Sequence, residues 1–348
     1  MGKVKNKLVA EDCKKSCTDI NGFSIFENQT ILVTGGTGFV GKWIAEMVSY
    51  VNETSSLNIK LYLLARDVSK FEEEVPHLVS KEYITVIQQD VRFVFELPSD
   101  INYIIHAAGS PDNREHVTNP LKTIDTFYKG TVSVMDAALR LPNLRKIVHM
   151  SSHQIYGKNE ENSLINERFT GTYESSSNVS CYGESKRIAE SVCNYFRKTF
   201  QLPVVVLRPF AFIGPYQQLE KPWAINSFIR DGILGGPIKI LGNGLTERSY
   251  MYGSDMAYWI LMALVNGSAG ENYNLGSGQS ISLNDLANKV KEHFGSVMQV
   301  MTKSSKEYHG SHTKLVPCTK KVKAELEVSE IFDIDEALAR TILWNKLD

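Results

Sequence analysis

The stretch Ile31-Leu32-Val33-Thr34-Gly35-Gly36-Thr37-Gly38-Phe39-Val40-Gly41 decides the fold. A short apolar run is followed by a glycine turn and then by apolar residues at helical spacing, which predicts strand, turn and helix. Glycines let the backbone approach a pyrophosphate, and the helix N-terminus offers it free N–H groups. The spacing Gly-x-x-Gly-x-x-Gly lacks the Gly-Lys-Ser/Thr of a P-loop. The stretch predicts a dinucleotide site that opens a Rossmann-type sheet, although alone it also suits a simple tight turn.

The composition is that of a globular protein with balanced charge. Lys and Arg total 38 and Asp and Glu total 39, so the formal net charge is −1. No basic bias indicates a nucleic-acid partner, no charge block indicates a membrane surface, and no apolar stretch is long enough to span a bilayer. The five cysteines lack zinc-type spacing, and an odd number without a secretory signal is typical of free thiols in a reducing compartment. We therefore expect a cytoplasmic protein with no bound metal.

Strands and helices alternate over most of the chain, which is the pattern of a parallel sheet covered on both faces by helices. Predicted strands lie at 31–34, 59–65, 83–88, 103–106, 146–150 and 204–208, and predicted helices at 38–51, 119–139 and 182–200. The predicted fold class is α/β, a Rossmann-type doubly wound parallel sheet with a smaller C-terminal substrate lobe. We assign 1–28 to an N-terminal arm holding one short helix, 29–210 to the NAD(P)-binding domain, with its sheet completed by about 248–275, and 211–348 mainly to the substrate-binding lobe.

The pair Tyr182 and Lys186 is the first candidate for chemistry. The spacing i, i+4 places both side chains on one face of a helix. A nearby ammonium stabilises the phenolate and lowers the tyrosine pKa, so Tyr182 could exchange a proton with a sugar hydroxyl at neutral pH. The chain has 15 tyrosines, so one such pair arises readily by chance, and a solvated helix face is the alternative.

Ser152 adds a hydroxyl at the expected place. Ser151 and Ser152 follow the predicted strand 146–150, and ligands bind at the carboxyl ends of the strands in such sheets. A serine there can hydrogen-bond the same sugar oxygen that Tyr182 addresses. The order of glycine turn, serine and Tyr-x-x-x-Lys therefore indicates the catalytic residues Ser152, Tyr182 and Lys186.

With these motifs in order, the chain from Ile31 onward resembles an extended short-chain dehydrogenase/reductase of the NAD(P)-dependent nucleotide-sugar epimerase/dehydratase group. Residues 150–157 resemble its Ser-Ser/Thr-x-x-Val-Tyr-Gly stretch, 182–186 its Tyr-x-x-x-Lys, 208–215 its Arg-x-x-Asn-x-Tyr-Gly-Pro, 248–255 its Arg-Asp-Tyr-Ile-x-Val-x-Asp and 274–278 its Asn-Val-Gly-x-Gly. The segment 106–130 is most like UDP-glucuronate decarboxylases. The resemblance implies an enzyme that moves a hydride reversibly at the ring of a nucleotide-activated sugar, at C4. It also implies a role in the synthesis of a polysaccharide or a glycosylated metabolite.

The resemblance implies a cofactor site as well. Asp90 and Val91 would line the adenine, and the segment from His106 to Ala108 would pass beneath the nicotinamide ribose, which Lys186 would also bond. The implied cofactor-binding residues are Gly35, Thr37, Gly38, Phe39, Val40, Arg66, Asp90, Val91, His106, Ala107, Ala108, Tyr182, Lys186 and Pro209.

Arg66 and Asp67 end the second predicted strand and bear on the choice of cofactor. NAD-selective members carry an acid at this place to hold the ribose 2′-hydroxyl. Arg66 would instead attract a 2′-phosphate, and we favour NADP over NAD for that reason. Asp67 could reach the hydroxyl if it were the first residue after the strand, and Arg66 would then be an exposed turn residue.

The substrate residues are likewise implied by the resemblance. Arg248 would hold the substrate diphosphate, which suits a planar bidentate donor, and Lys314 would replace a second arginine as a point charge. Trp223 and Asn226 lie where the family contacts substrate, although a core role suits Trp223 equally. The implied substrate residues are Ser110, Ser152, Gln154, Trp223, Asn226, Arg248 and Lys314.

The two residues after Ser152 separate the possible reactions. Dehydratases of the family carry an acidic pair where this chain has His153 and Gln154, and decarboxylases keep a Glu at the second position. Gln has no proton to exchange, so elimination of water loses the base that removes the C5 proton, and decarboxylation loses its matching Glu. His153 is a candidate acid or base near neutral pH, or a structural histidine bonded to a loop.

Epimerisation is the preferred hypothesis for the reaction. NADPH-dependent reduction of a 4-keto sugar is the main alternative, followed by 4,6-dehydration or a decarboxylase-like activity. A non-catalytic binding or scaffold protein is a further alternative, and the retention of Ser152, Tyr182 and Lys186 argues against it. Helices 119–139 and 182–200 match those that form the family's dimer interface, which implies a homodimer.

Overall fold

Seven parallel strands form the central sheet of the protein. The computed structural model describes residues 2–172, 180–295, 298–302 and 313–347. The strands are β1 (Thr30–Thr34), β2 (Lys60–Ala65), β3 (Ile84–Gln88), β4 (Ile101–His106), β5 (Lys146–Met150), β6 (Val204–Pro209), β7 (Ala211–Ile213), β8 (Ile238–Ile240), β9 (Glu247–Arg248), β10 (Tyr250–Tyr252), β11 (Asn272–Leu275), β12 (Ile281–Ser282), β13 (Val300–Thr302) and β14 (Lys314–Leu315). The central sheet has the order β11-β6-β5-β4-β1-β2-β3.

Twelve helices flank these strands within the described residues. They are α1 (Gly2–Ser16), α2 (Phe39–Thr54), α3 (Ser69–Glu74), α4 (Pro76–Val79), α5 (Asn113–Thr118), α6 (Pro120–Ala138), α7 (Ser180–Phe200), α8 (Ala224–Ile233), α9 (Gly253–Asn266), α10 (Leu283–Glu292), α11 (Lys320–Leu326) and α12 (Ile334–Lys346), with short 3-10 segments at Asn21–Phe26, Val91–Phe93 and His153–Tyr156. None of these helices is both long and apolar enough to cross a bilayer.

The strand order confirms the predicted Rossmann-type α/β fold. β1 lies between β2 and β4, and every pair in the central sheet is parallel. The chain order therefore reverses direction between β1 and β4, which is the position where ligands bind outside the carboxyl ends of the strands. The six predicted strands end within two residues of the observed ones.

The sheet is buried on both faces, which is why its strands are continuous apolar runs. Ile31 and Val33 of β1 point into one apolar cluster, which includes Trp43 of α2 and many residues of α9. Leu32 points into the other, together with Val134 of α6. The two helical layers leave the carboxyl ends of β1, β4, β5 and β6 as the edge on which the candidate residues lie.

The first helix packs into the main core. Val9 and Cys13 of α1 are buried in the same cluster as α2 and α9. Asp12 accepts a hydrogen bond from the Tyr252 hydroxyl at 2.7 Å and forms an ion pair with Arg340 of α12. The segment 1–28, predicted as an arm, thus contains a helix that contacts the middle and the end of the chain.

The C-terminal part of the chain contributes both to the central sheet and to small sheets of its own. β11 extends the central sheet beside β6, and α9 packs over the sheet. The remaining strands form the pairs β7–β10 and β8–β13 and the three-stranded set β12-β9-β14. These small sheets and α8 lie after β6 in the chain, and the candidate substrate residues Asn226, Arg248 and Lys314 lie on them.

Candidate active site

The glycine turn after β1 packs directly against the segment that follows β4. Gly35 has φ +71°, and a Cβ there would lie 2.9 Å from the Ala107 carbonyl oxygen and from Ala108 Cα. A side chain at this position would therefore meet backbone atoms, in a conformation that favours glycine. The close approach joins the two segments predicted to hold the pyrophosphate and the nicotinamide ribose.

The turn ends at the start of α2, where free amides face the switch point. Gly38 is the N-cap, and the first i→i−4 bond runs from the Lys42 amide to the Gly38 carbonyl at 2.9 Å. The amides of Phe39 and Val40 come before this bond, so they have no acceptor within the helix. Such amides and the positive end of the helix dipole suit a pyrophosphate.

The side chain of His106 is a buried structural link. Its Nδ1 is 2.8 Å from Thr34 Oγ1, and its Nε2 is 3.1 Å from Thr131 Oγ1. Burial lowers the pKa of His106 to about 3, so the imidazole is neutral. Both ring nitrogens are thus bonded within the protein, which leaves neither of them for a ribose.

Arg66 is the first residue after β2, and Asp67 is the second. The Arg66 side chain is exposed. Asp67 accepts hydrogen bonds from the Ser69 amide at 3.2 Å and the Ser69 hydroxyl at 2.8 Å, and its carbonyl oxygen accepts one from Thr37 at 3.3 Å. Both side chains are exposed, and the Asp67 carboxylate is engaged through Oδ1 with Ser69 at the start of α3.

The end of β3 holds the predicted adenine-binding pair. Asp90 accepts from Arg92 Nη2 at 2.7 Å and from the Arg92 amide at 2.9 Å, and this hydrogen bonding lowers the pKa of the Asp90 carboxyl. Val91 is buried, and a Cβ at Gly130 of α6 would come within 2.9 Å of its Cγ1. The carboxylate is therefore ionised and partly exposed, beside an apolar wall.

Lys186 connects α7 to the carboxyl end of β5. Its Nζ donates to the Met150 carbonyl at 2.6 Å and lies 4.2 Å from the centre of the Phe127 ring. Burial lowers the pKa of Lys186 to about 7, and Glu190 opposes that shift. The ammonium is 5.9 Å from the centre of the Tyr182 ring, so the structure brings the predicted pair together.

Tyr182 is held between two rings that the sequence analysis did not assign. His116 of α5 stacks on the phenol, with ring centroids 4.4 Å apart and planes 19° apart. Phe127 of α6 meets the same ring edge-on at 5.3 Å and 75°. These partners come from different helices, and nothing in the local spacing around Tyr182 predicts them.

Ser152 lies where β5 ends and a 3-10 segment begins. Its Oγ accepts a hydrogen bond from the Gln154 amide at 3.1 Å, which makes it the N-cap of residues His153–Tyr156. The hydroxyl proton of Ser152 is left to bond elsewhere, because an N-cap oxygen serves only as acceptor. Ser152 therefore can donate to a ligand oxygen at the carboxyl end of β5, two residues beyond the carbonyl that binds Lys186.

His153 is built into the wall of the site. Its Nδ1 is 3.1 Å from the Pro209 carbonyl oxygen, and its ring stacks on Phe210 at 5.1 Å. Burial lowers the pKa of His153 to about 4. The carbonyl can only accept, so Nδ1 carries the proton of this neutral ring. This arrangement matches the structural alternative for His153, with Nε2 as a hydrogen-bond acceptor.

A buried ion pair connects α7 to β6. Glu190, one turn after Lys186, accepts from Arg208 Nε at 3.0 Å and from Arg208 Nη2 at 2.8 Å. Arg208 Nη1 also donates to the Tyr156 hydroxyl at 3.2 Å, which in turn donates to Asn274 Oδ1 at 2.6 Å. The network ties α7, β6, β11 and the 3-10 segment together.

Arg248 is held on β9 without a carboxylate partner among the described residues. Its Nη1 donates to the carbonyls of Glu247 at 2.8 Å and Thr313 at 3.2 Å, and burial lowers its pKa. Lys314 forms an ion pair with Glu247 at 2.9 Å. The Lys314 ammonium is thus paired with the Glu247 carboxylate, whereas Arg248 has no carboxylate partner among the described residues.

The remaining predicted substrate residues are Asn226 on α8, Trp223 at its start and Ser110 between β4 and α5. Asn226 of α8 is fully buried and donates to the Gln218 carbonyl at 2.7 Å, and its Oδ1 has no partner in the described part of the chain. Trp223 is half-buried as the N-cap of α8. Ser110 accepts from the Asp112 amide at 3.2 Å. No cluster of metal-binding side chains was found in the described residues.

Comparison with protein families decides the class of protein. The model of the NAD dependent epimerase/dehydratase family matches residues 31–276, more than two thirds of the chain. The chain belongs to this family. The predicted family membership is therefore confirmed, and with it the expectation that the protein is an enzyme. The match begins at β1 and ends after β11, so it spans the whole central sheet.

Relatives with assigned names include sugar-nucleotide decarboxylases. The chain is 26% identical over 316 residues to UDP-glucuronic acid decarboxylase 1 of Xenopus tropicalis, covering 91% of this chain and 72% of that protein. It is 26% identical over 289 residues to UDP-N-acetyl-alpha-D-glucosaminuronate decarboxylase of Bacillus cytotoxicus, covering 82% and 84%. Among solved structures, UDP-glucuronic acid 4-epimerase of Bacillus cereus has TM-score 0.76 and 21% identity, covering 92% of this chain and 99% of that one.

Proposed function

We propose that this protein is an epimerase that inverts C4 of a nucleotide-activated sugar by reversible hydride transfer. The observation that carries the choice of reaction is Gln154, which stands beside Ser152 in the 3-10 segment where an acid would be needed for elimination or decarboxylation. His153 is neutral and bonded to the Pro209 carbonyl. Neither side chain can remove a C5 proton in the way that a carboxylate does.

The proton chemistry falls to Tyr182, Lys186 and Ser152. Ser152 would donate to the sugar C4 oxygen, and Tyr182 would take the hydroxyl proton as the ketone forms. Lys186, with a pKa of about 7, carries part of its charge at neutral pH and stabilises the phenolate. Bound NAD(P), held by the turn residues Gly35 to Val40 and by Asp90, would supply the hydride acceptor. Return of the hydride to the other face of the turned ketose gives the C4 stereoisomer.

The substrate that we propose is a UDP-hexose or UDP-hexuronic acid. The decarboxylase relatives act on uronic acids of UDP sugars by their names, and the epimerase neighbour was solved with UDP-glucuronic acid. Arg248, which has no carboxylate partner among the described residues, would bind the diphosphate. Trp223, Asn226 and Ser110 would line the sugar end of the site.

Proton NMR of the purified protein with UDP-, dTDP-, GDP- and CDP-hexoses tests the proposal. We expect a C4 stereoisomer to appear with no added cofactor, since an epimerase regenerates its cofactor in each cycle. Tyr182→Phe should abolish the conversion while leaving the protein folded. Turnover by Tyr182→Phe at the wild-type rate would refute the assignment of the acid/base.

A 4-keto-sugar reductase is the second candidate, and Arg66 is the observation that favours it. Arg66 is exposed and first after β2, whereas Asp67 is bonded to Ser69. This arrangement supports NADP, which reductases consume stoichiometrically. Titration with NAD and with NADP, read as the rise in melting temperature, should show tighter binding of NADP, and Arg66→Ala should remove the preference. Oxidation of NADPH by a 4-keto-6-deoxy sugar without epimerisation of any stable hexose would make the protein a reductase.

We also propose a homodimer that forms through α6 and α7. Leu121 and Tyr128 on α6, and Ile188 and Tyr195 on α7, are spaced by seven residues and leave an exposed apolar stripe on two helices that pack together. Leu121 is 77% exposed and Tyr195 is 56% exposed. Light scattering should give twice the monomer mass for wild type and the monomer mass for Ile188→Arg.

The proposal also includes a cytoplasmic location and a domain boundary at about residue 210. The five cysteines are free thiols, which supports a reducing cytoplasm. The division at about residue 210 is supported by the position of the cofactor residues before β7 and of Trp223, Asn226 and Arg248 after it. We place the enzyme in the supply of sugar nucleotides for a polysaccharide or glycosylated metabolite.

A further inference from the structure

The ring of His116 stacks nearly parallel on the phenol of Tyr182, and both side chains are buried. His116 is 2% exposed and Tyr182 is 7% exposed. Their centroids are 4.4 Å apart, and Phe127 closes the edge of the phenol at 5.3 Å. Tyr182 stands in the first turn of α7, where the helix's own hydrogen bonds restrain the backbone least. The rings of His116 and Phe127 therefore contribute to fixing the direction of its hydroxyl.

A hydrogen-bonded chain fixes the plane of the His116 ring. Thr123 Oγ1 lies 3.2 Å from the Asn119 carbonyl oxygen, to which it donates its only proton. His116 Nδ1 is 3.1 Å from the same Thr123 oxygen, so this hydroxyl tethers the imidazole to the start of α6. Asn119 and Thr123 both belong to the start of α6. That helix therefore fixes the orientation of the His116 ring, and the stacked His116 ring restrains the orientation of the Tyr182 ring.

The imidazole is neutral where it meets Tyr182. Burial lowers the pKa of His116, while Glu115, Asp112 and the Ser110 backbone oppose the shift and Lys186 adds to it. Its Nε2 is buried and makes no hydrogen bond within the described residues. Lys186 is then the cation that acts on the phenolate, and His116 acts through ring contact rather than through charge.

We propose that His116 is a positioning residue, which holds the Tyr182 ring so that its hydroxyl points at the reacting sugar oxygen. The inference rests on the proposed role of Tyr182 as the acid/base. It assigns a function to a histidine that lies in the segment 106–130 but has no role in the sequence analysis. Because a displacement of about 1 Å at a reacting group can cost about 100-fold in rate, loss of the ring contact should appear in kcat.

Three variants test the inference on the nucleotide hexose that the wild-type enzyme converts in the NMR assay. His116→Ala removes the stacking ring and should lower kcat by about 30-fold with KM changed less than about threefold, from the same dependence of rate on position. His116→Phe keeps a flat ring and should return kcat to within about threefold of wild type. Thr123→Val keeps the imidazole but removes its tether, and should lower kcat to a value between those of the two His116 variants.

The outcomes separate this inference from the proposed function. If His116→Ala keeps wild-type kcat while Tyr182→Phe is inactive, or if His116→Phe is as slow as His116→Ala, the positioning role is wrong and the acid/base assignment stands. A rise in KM at constant kcat would also overturn it, since that result indicates ligand contact instead. If Tyr182→Phe turned over at the wild-type rate, the proposed role of Tyr182 as the acid/base, and with it the proposed function, would be refuted. If His116→Ala fails to fold, Thr123→Val decides alone, because unchanged kcat in that variant overturns the inference.

Discussion

Breaking the buried pair between Arg208 and Glu190 should be among the most destabilising single changes in this protein. Arg208→Met removes the guanidinium and leaves the Glu190 carboxylate in place. In the wild type, Arg208 makes two hydrogen bonds to that carboxylate, at 3.0 and 2.8 Å, one to the Tyr156 hydroxyl at 3.2 Å and one to the Glu167 carbonyl at 2.8 Å. The variant therefore leaves the Glu190 carboxylate without its cation, and it leaves the Tyr156 hydroxyl and the Glu167 carbonyl without the donor that Arg208 supplies.

The size of the effect follows from burial. The Arg208 and Glu190 side chains are 9% and 11% exposed, so water cannot replace the lost contacts. Removing one member of a buried ion pair costs about 3–5 kcal/mol. A domain is stable by only about 5–15 kcal/mol, so this loss takes a large share of the total. Replacing both members by apolar residues, as in Arg208→Met/Glu190→Leu, leaves no buried charge and should recover at least half of the loss.

Urea unfolding followed by circular dichroism measures both variants. We expect the free energy of unfolding of Arg208→Met to fall by about 3–5 kcal/mol with little change in the denaturant slope. Lys129→Met on the exposed face of α6, which breaks the surface pair with Asp125, is the matched control and should change stability by less than about 1 kcal/mol. A loss below about 1 kcal/mol in Arg208→Met, or a double variant as unstable as the single one, would refute this account.

Three further predictions concern pH and the glycine turn. The free energy of unfolding should fall by about 1.4 kcal/mol per pH unit below pH 6.5 on account of His106, because the unfolded imidazole takes up a proton that the buried one, with a pKa of about 3, does not. His106→Asn should reduce that slope in urea titrations at pH 6.5 and 4.5. Glu190→Gln should move the alkaline limb of kcat to lower pH, since Glu190 raises the pKa of Lys186 and its loss lets the ammonium deprotonate earlier. Gly41→Ala should abolish the stabilisation by added NAD(P) in thermal melts, because its Cβ would overlap the Gly36 carbonyl; an unchanged melt shift would show that the turn adapts.

Local spacing explains which parts of the site could be predicted. The turn from Gly35 to Gly41 and the pair Tyr182 and Lys186 are set by neighbours within a few residues, so the sequence predicts both their elements and their proximity. The strands of the sheet were predictable for the same reason, since each is a short apolar run bounded by turns. Predictions of this kind require no knowledge of which helices pack together.

Other features depend on contacts between distant segments. His116 meets Tyr182 across 66 positions of sequence, because α5 folds back over α7. Lys314 was predicted to replace a second arginine as a point charge, and its ion pair with Glu247 follows from the pairing of β14 with β9, which the local sequence does not indicate. The surroundings of His153 were ambiguous for a similar reason, since its partner Pro209 lies on a neighbouring strand. Such pairings become visible only after the topology is known.

The contacts of α1 have a consequence for how the chain is made. Lys15 pairs with Glu336, and Arg340 bonds both Asp12 and the Leu8 carbonyl at 2.9 Å, so the first helix finds its partners on the last one. During synthesis, those partners are made more than three hundred residues after α1. The apolar side of α1, which carries Val9 and Cys13, packs in the same cluster as α2 and α9, so α2 is available to cover part of it early and α9 only later. The contacts of α1 with α12 should therefore be the last of its contacts to form, after its apolar side has begun to be covered.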